Sequence, residues 1–280
     1  MPAIDAHQHF WQYSVVEYPW IGPGMERLQR DFLPQDLQPL LAAAGLTRSI
    51  AVQARQSLAE SEWLLELATR EDSIHAVGGW GDLRSPDLRR QLQRFCTHPK
   101  FVGVRHVAQD EPDDQFLTRP EVVQGIAQLA EFGLTYDLLI FPRQLPAAIE
   151  LVQQLPQQPF VLDHLAKPDI RQQQFQPWAD QLRELAQSPH VCCKLSGMVT
   201  EADWQHWTPD QLQPCLEVVF ESFGPDRLMF GSDWPVCLLA AEYEQVVHVV
   251  RDFVRQHCPE VEPRIFGATA AAFYQRRPLC

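Results

Sequence analysis

The sequence is short of positive charge. Lysine and arginine number 23 against 36 aspartates and glutamates, leaving a formal net charge of -13 at pH 7. Docking on a phosphate backbone or an anionic lipid surface needs clustered basic side chains, so neither a nucleic-acid partner nor a membrane is expected. Also missing is any apolar run near the roughly 20 residues that a bilayer span requires. The opening residues carry no basic segment leading into an apolar one, and a cytoplasmic location is the expectation. Cysteine is sparse: seven residues, none spaced C-x-x-C, two of them adjacent at Cys192 and Cys193. That pattern reads as reduced, mostly buried thiols in a reducing compartment, not as a disulfide framework. No glycine-rich phosphate fingerprint follows any branched run, which counts against a dinucleotide-binding open sheet. What remains, 45% hydrophobic and 21% charged, is the composition of an ordinary globular chain and assigns no oligomeric state.

What is present begins at Ile4-Asp5-Ala6-His7-Gln8-His9-Phe10. This short branched and apolar run reads as a first strand, and strand side chains alternate faces. His7 and His9 then share a face, with Asp5 expected below them on it. A His-x-His pair is weak evidence by itself, so the rest of the chain has to decide. The stretch from Trp11 to Phe32, rich in aromatics, proline and glycine, is too long for a routine turn and is expected to be functional or lid-like.

From there one pattern repeats: a branched run, a turn, an amphipathic helix. The later runs are 49–53, 74–80, 101–106, 134–140, 160–164, 191–196 and 228–233, and with the first they make eight. Helical spacing of apolar residues is expected over 34–44, 58–70, 86–96, 121–132, 142–154, 177–187, 209–223 and 242–257. Eight strands alternating with helices over about 250 residues is the pattern of a (β/α)8 barrel, here a single domain over 1–280. A doubly wound open sheet ranks second.

Polar residues gather at the ends of these runs, where a barrel builds its site. They are His7 and His9, Gln53, Trp80 and Asp82, Arg105 and His106, Tyr136 and Asp137, Asp163 and His164, Lys194 and Ser196, and Asp233 with Trp234. Four of the ten histidines fall there. The set holds what acyl-bond hydrolysis needs: a carboxylate to take a proton from water, and groups to offset charge on the carbonyl oxygen. Asp233 is the candidate base. His7, His9 and His164 would either bind a divalent ion that polarises the carbonyl or donate hydrogen bonds to it directly.

Several segments together resemble the amidohydrolase-2 branch of the amidohydrolase superfamily: Ile4 to Trp11, Val104-Arg105-His106, Leu162 to Pro168, Lys194 to Gly197, Gly231 to Pro235, and Arg264 to Gly267. They span nearly the whole chain in order. Within that branch the likeness is strongest to the sugar-lactonase group, which includes L-fuconolactone and L-rhamnonolactone hydrolases. The resemblance implies a (β/α)8 barrel that opens a sugar lactone to its aldonic acid, a role in carbohydrate metabolism. It implies His7, His9 and His164 as site histidines and Asp233 as general base. No lysine stands at the end of strand 4 or 5 to become a carbamylated bridge, so a two-metal centre is not expected. The implied cofactor is none, or one divalent ion, zinc first, on His7, His9, His164 and Asp233.

The expected substrate contacts are Gln53, Trp80, Arg105, His106, Lys194 and Trp234. A dicarboxylate substrate would call for several arginines, and Arg105 is the obvious one. Aromatics (Trp11, Trp80 and Trp234, with Tyr18 and Trp20) suit the C-H faces of a neutral sugar ring. Two rivals are carried forward: a metal-dependent non-oxidative decarboxylase or hydratase acting on a carboxylated substrate, and a sugar-binding barrel without chemistry.

Overall fold

The computed structural model describes residues 2–275. One parallel sheet runs in chain order through β1 (Ile4–Gln8), β2 (Arg48–Val52), β3 (Ile74–Gly79), β4 (Phe101–His106), β5 (Thr135–Leu138), β6 (Phe160–Leu162), β7 (Val191–Leu195) and β8 (Leu228–Phe230). Between and after them lie α1 (Pro34–Ala43), α2 (Leu58–Arg70), α3 (Leu88–Phe95), α4 (Pro120–Glu131), α5 (Leu145–Gln154), α6 (Trp178–Leu185), α7 (Pro209–Phe223) and α8 (Tyr243–His257). The expected (β/α)8 barrel is the fold observed. Local chemistry explains the helix ends: proline sits at the first position of α1, α4 and α7, where its missing N–H costs nothing. Ser57 accepts from the Glu60 N–H to cap α2.

The ring closes through the segment after β8. The Asp233 N–H donates to the His7 carbonyl at 2.8 Å, and the His9 N–H donates to the Trp234 carbonyl at 2.7 Å. The hydrogen bonds that complete the barrel are thus the ones that carry Asp233 to the two histidines.

Asp5 departs from expectation. The pairing of β1 with β2 loses its regular register between Asp5 and Gln8. Ile4 and Ala6 pack with Ile50, Val52, Val161 and Met229 in one apolar cluster. Asp5 instead accepts from the Tyr243 hydroxyl of α8 at 3.0 Å and from the Ser232 N–H at 2.9 Å. It braces β1 against β8 and does not share the histidine face.

β6 and β8 are shorter than expected, which ran them to His164 and Asp233. The backbone turns left-handed there: φ is 54° at His164, 56° at Leu165, 57° at Ala166, 53° at Lys167 and 57° at Asp233. A left-handed residue cannot continue a strand. A π-helical turn (Arg264–Ala268) and a short helix α9 (Thr269–Phe273) follow the eight units. Ala270 and Tyr274 of this tail join the Ile4–Ala6 cluster. The Trp11–Phe32 segment is tied at its base by paired hydrogen bonds of 3.0 and 2.9 Å between Trp11 and Phe32. Trp11, Tyr18, Ile21 and Leu28 are buried within it.

Candidate active site

His7 of β1 and side chains from the segments that follow β1, β6 and β8 meet at the C-terminal end of the barrel. The Oδ1 of Asp233 lies 3.3 Å from the Nε2 of His9, 3.7 Å from the Nε2 of His7 and 3.9 Å from the Nε2 of His164. His7 and His9 approach each other Nε2 to Nε2 at 3.1 Å. The second nitrogen of each outer imidazole is held: His9 Nδ1 by the Val52 carbonyl at 2.8 Å, His164 Nδ1 by the Ser196 hydroxyl at 2.9 Å. His164 and Asp233 both project from left-handed backbone. That conformation costs about 1–2 kcal/mol per residue and clusters at functional sites. Around His164 the cost is offset by burial of Leu165 and Ala166 and by the Trp178 indole N–H, which donates to the Leu165 carbonyl at 2.6 Å.

Burial shapes the charge state. Burial is the main cause that pushes the His164 imidazolium down to about 4, against the pull of Asp233 and Asp163. His7 is pushed well below its ordinary value and His9 is lowered, again by burial first. For Asp233 burial works to raise the carboxyl, but the surrounding imidazoles outweigh it and hold the group below the usual carboxylate range. At neutral pH the arrangement is one carboxylate among three neutral imidazoles. Deprotonated ligands are what a divalent ion needs. His7, His164 and Asp233 each present one ligand atom, all within 4.8 Å of one another. Two imidazoles and a carboxylate form a donor set that would fit zinc. His9 lies outside that trio.

Of the expected substrate contacts, Lys194 is displaced. It is fully buried and sits beneath His7, with Nζ at 2.6 Å from Asp137 Oδ2, 2.9 Å from Asp163 Oδ1 and 3.1 Å from His7 Nδ1. Its ammonium is hydrogen-bonded to Asp137 and His7 and ion-paired with Asp163, and its complete burial keeps it from meeting a ligand at the mouth. Trp234 is displaced too. Its ring is 1% exposed and packs edge-on against Phe10 and Phe32, because the Trp11–Phe32 loop covers it. Arg105 Nη1 contacts His7 Nε2 and Asp163 Oδ2, each at 3.2 Å, while Nη2 donates to the Gln53 carbonyl. The Gln53 amide returns a bond to the Arg105 carbonyl at 3.1 Å, and its own Oε1 is buried without a partner. His106 bonds Glu111 at 2.7 Å and stacks on Phe116, with the Trp80 indole N–H 3.5 Å from its Nδ1. It therefore orients Trp80, which is half-buried.

Sequence reasoning missed the role of Asp163, the hub that joins Lys194, Arg105 and His7. Burial opposes its charge, but Lys194 and His7 outweigh burial and hold the carboxyl well below the ordinary range. The pairing of Asp163 with His164 at one strand end was the available signal. Tyr274 lay outside every motif, yet its hydroxyl donates to Asp137 Oδ2 at 2.8 Å. Two glycines were read only as motif letters. A Cβ on Gly231 would lie 2.6 Å from the Cβ of His7, and one on Gly197 would lie 2.6 Å from the His164 ring.

The profile of the amidohydrolase family matches residues 4–276. The chain belongs to the amidohydrolase family. Among other members, an L-fucono-1,5-lactonase of Burkholderia multivorans (strain ATCC 17616 / 249) is 44% identical over 282 residues, spanning 97% of this chain and 95% of that protein. An L-fucono-1,5-lactonase of Burkholderia ambifaria is 37% identical over 277 residues, with the same two coverages of 97% and 95%. A solved Burkholderia multivorans amidohydrolase with bound zinc superposes at a TM-score of 0.95, with 43% identity, 99% coverage of this chain and 100% of that one. Residues 4–276 of this amidohydrolase include every side chain at the Asp233 centre.

Proposed function

We propose that this amidohydrolase opens a sugar lactone to its aldonic acid, with a six-membered lactone of the L-fucono-1,5-lactone type as the first candidate. The observation that carries the reading is the ionised Asp233 carboxylate ringed by His7, His9 and His164 at the barrel mouth. Two L-fucono-1,5-lactonases more than one-third identical support the substrate class. Asp233 takes a proton from the attacking water, and the ring carbonyl carbon gains the hydroxyl. Asp233 then returns that proton to the ring oxygen as the acyl C–O bond breaks. One carboxylate thus serves as base and then acid. His164, oriented by Ser196, faces the carbonyl side. A divalent ion, zinc first, on His7, His164 and Asp233 would supply Lewis-acid polarisation of the carbonyl when bound.

Trp80 offers a half-buried indole to the sugar ring, while Gln53, fully buried, holds Arg105 in place through its amide. Both terminal nitrogens of Arg105 are engaged, which leaves it poorly placed to capture a carboxylate and weighs against a decarboxylase or hydratase. The test is acid release, followed by a pH indicator, from fucono-, rhamnono-, galactono-, glucono- and arabinonolactones, before and after chelation. Hydrolysis of one stereochemical series supports the proposal. Silence on the whole panel, with or without added zinc, removes it.

A further inference from the structure

We propose that Lys194 is a positioning residue that sets which nitrogen of His7 carries its proton, holding His7 in the metal-free enzyme as a hydrogen-bond donor instead of a ligand. An ammonium can only donate. Of the three groups around Lys194, the third is His7 Nδ1 at 3.1 Å. An imidazole that accepts at Nδ1 and stays neutral carries its proton on Nε2.

That proton has a destination. His9 Nδ1 lies 2.8 Å from the Val52 carbonyl, which cannot donate, so the proton of neutral His9 is on Nδ1 and its Nε2 is a lone pair. That lone pair faces His7 Nε2 at 3.1 Å. A one-way series follows: Lys194 donates to His7, His7 to His9, and His9 to Val52. Every nitrogen in it is matched.

The competing arrangement is visible beside it. Asp163 Oδ1, 3.4 Å from His7 Nδ1, would accept a proton there, and Arg105 Nη1, 3.2 Å from His7 Nε2, would donate to the lone pair this frees. Only this second tautomer lets Nε2 bind a metal. Lys194 disfavours it on three counts. It is nearer to Nδ1 than Asp163 is, its charge is paired with Asp163 Oδ1 at 2.9 Å, and Arg105 has Asp163 Oδ2 as another acceptor. The head of Lys194 is itself fixed by Asp137, which the Tyr274 hydroxyl of the C-terminal tail holds in turn.

The test uses full-length chelated protein and needs no lactone, so it stands apart from the proposed substrate. Nitrogen-15 NMR of labelled histidine reads the tautomer, and calorimetry reads zinc binding. Wild-type His7 should carry its proton on Nε2. Lys194→Met should move it to Nδ1 and tighten zinc by about 10- to 100-fold, whereas Asp163→Asn should leave it on Nε2 and loosen zinc by about the same factor, the usual range for groups behind a ligand. A wild-type proton on Nδ1 overturns the proposal, as does zinc affinity that moves the same way in both variants. If Lys194→Met does not fold, the wild-type spectrum and Asp163→Asn still decide.

Discussion

Asp233 has to be ionised to take a proton from water, and its neighbours keep it so despite burial. Asp233→Asn preserves shape and removes the base, so turnover should fall by about 10²- to 10⁴-fold with the melting temperature nearly unchanged. Near-normal turnover in that variant would take the role away. His164 carries a pH consequence. Its folded value of about 4 lies below the 6.5 of a free imidazole. As pH falls below 6.5 the unfolded chain takes up the proton first, so stability declines from there until about 4 and then levels off. His164→Gln has no such proton to gain. The melting-temperature gap between wild type and His164→Gln should therefore shift in favour of the variant between pH 7 and pH 4, and a constant gap would contradict the burial argument. Both residues were legible in the sequence because acidic and imidazole side chains ending branched runs are chemically conspicuous. Lys194 was equally conspicuous and its placement was misjudged, since nothing local shows whether a strand-end side chain points up to the mouth or back over the barrel core.

At the scale of elements, the left-handed turn His164–Lys167 and the β7 end work as a pair. Gly197 has φ 65°, and a Cβ there would meet the His164 ring at 2.6 Å. Gly197→Ala combines an unfavourable backbone with a clash, which should cost about 1–3 kcal/mol in denaturant unfolding. Turnover should drop further than stability explains, because the imagined methyl pushes the His164 imidazole off Ser196. An unchanged kcat would mean that this ring position is not demanding. Trp80 belongs to the loop after β3 and is braced by His106. Trp80→Ala should raise KM more than it lowers kcat; a loss confined to thermal stability would make Trp80 a packing residue only. Strand and helix order was readable from periodicity, whereas the early ends of β6 and β8 were not. The side chains of His164, Leu165 and Ala166 carry no sign of left-handed backbone, which burial and the Trp178 hydrogen bond impose from a distance.

Across the whole molecule, the Trp11–Phe32 loop is fastened to the barrel through Glu60. This carboxyl accepts the Tyr18 hydroxyl and the N–H groups of Ala54 and Arg55, and burial raises it to about 7 from 4.5. A raised carboxyl means the folded state binds the proton more tightly than the unfolded chain. Its ionisation therefore costs stability in full above pH 7, and the cost is relieved as pH falls toward 4.5. Glu60→Gln should gain on wild type by roughly 3 kcal/mol between pH 5 and pH 9 in denaturant unfolding, and a pH-independent difference would refute the linkage. The amino-acid sequence by itself determined the eightfold alternation and the side of the barrel that carries the polar residues, because periodicity and strand direction are local properties. Only the tertiary structure decided which of those residues meet. His7 and Asp233 are joined by hydrogen bonds that close the ring, Asp5 turns away at a break in register, and Trp234 disappears under a distant loop. Each depends on contacts between segments far apart in the chain, and no local pattern records where a closed sheet brings its two edges together.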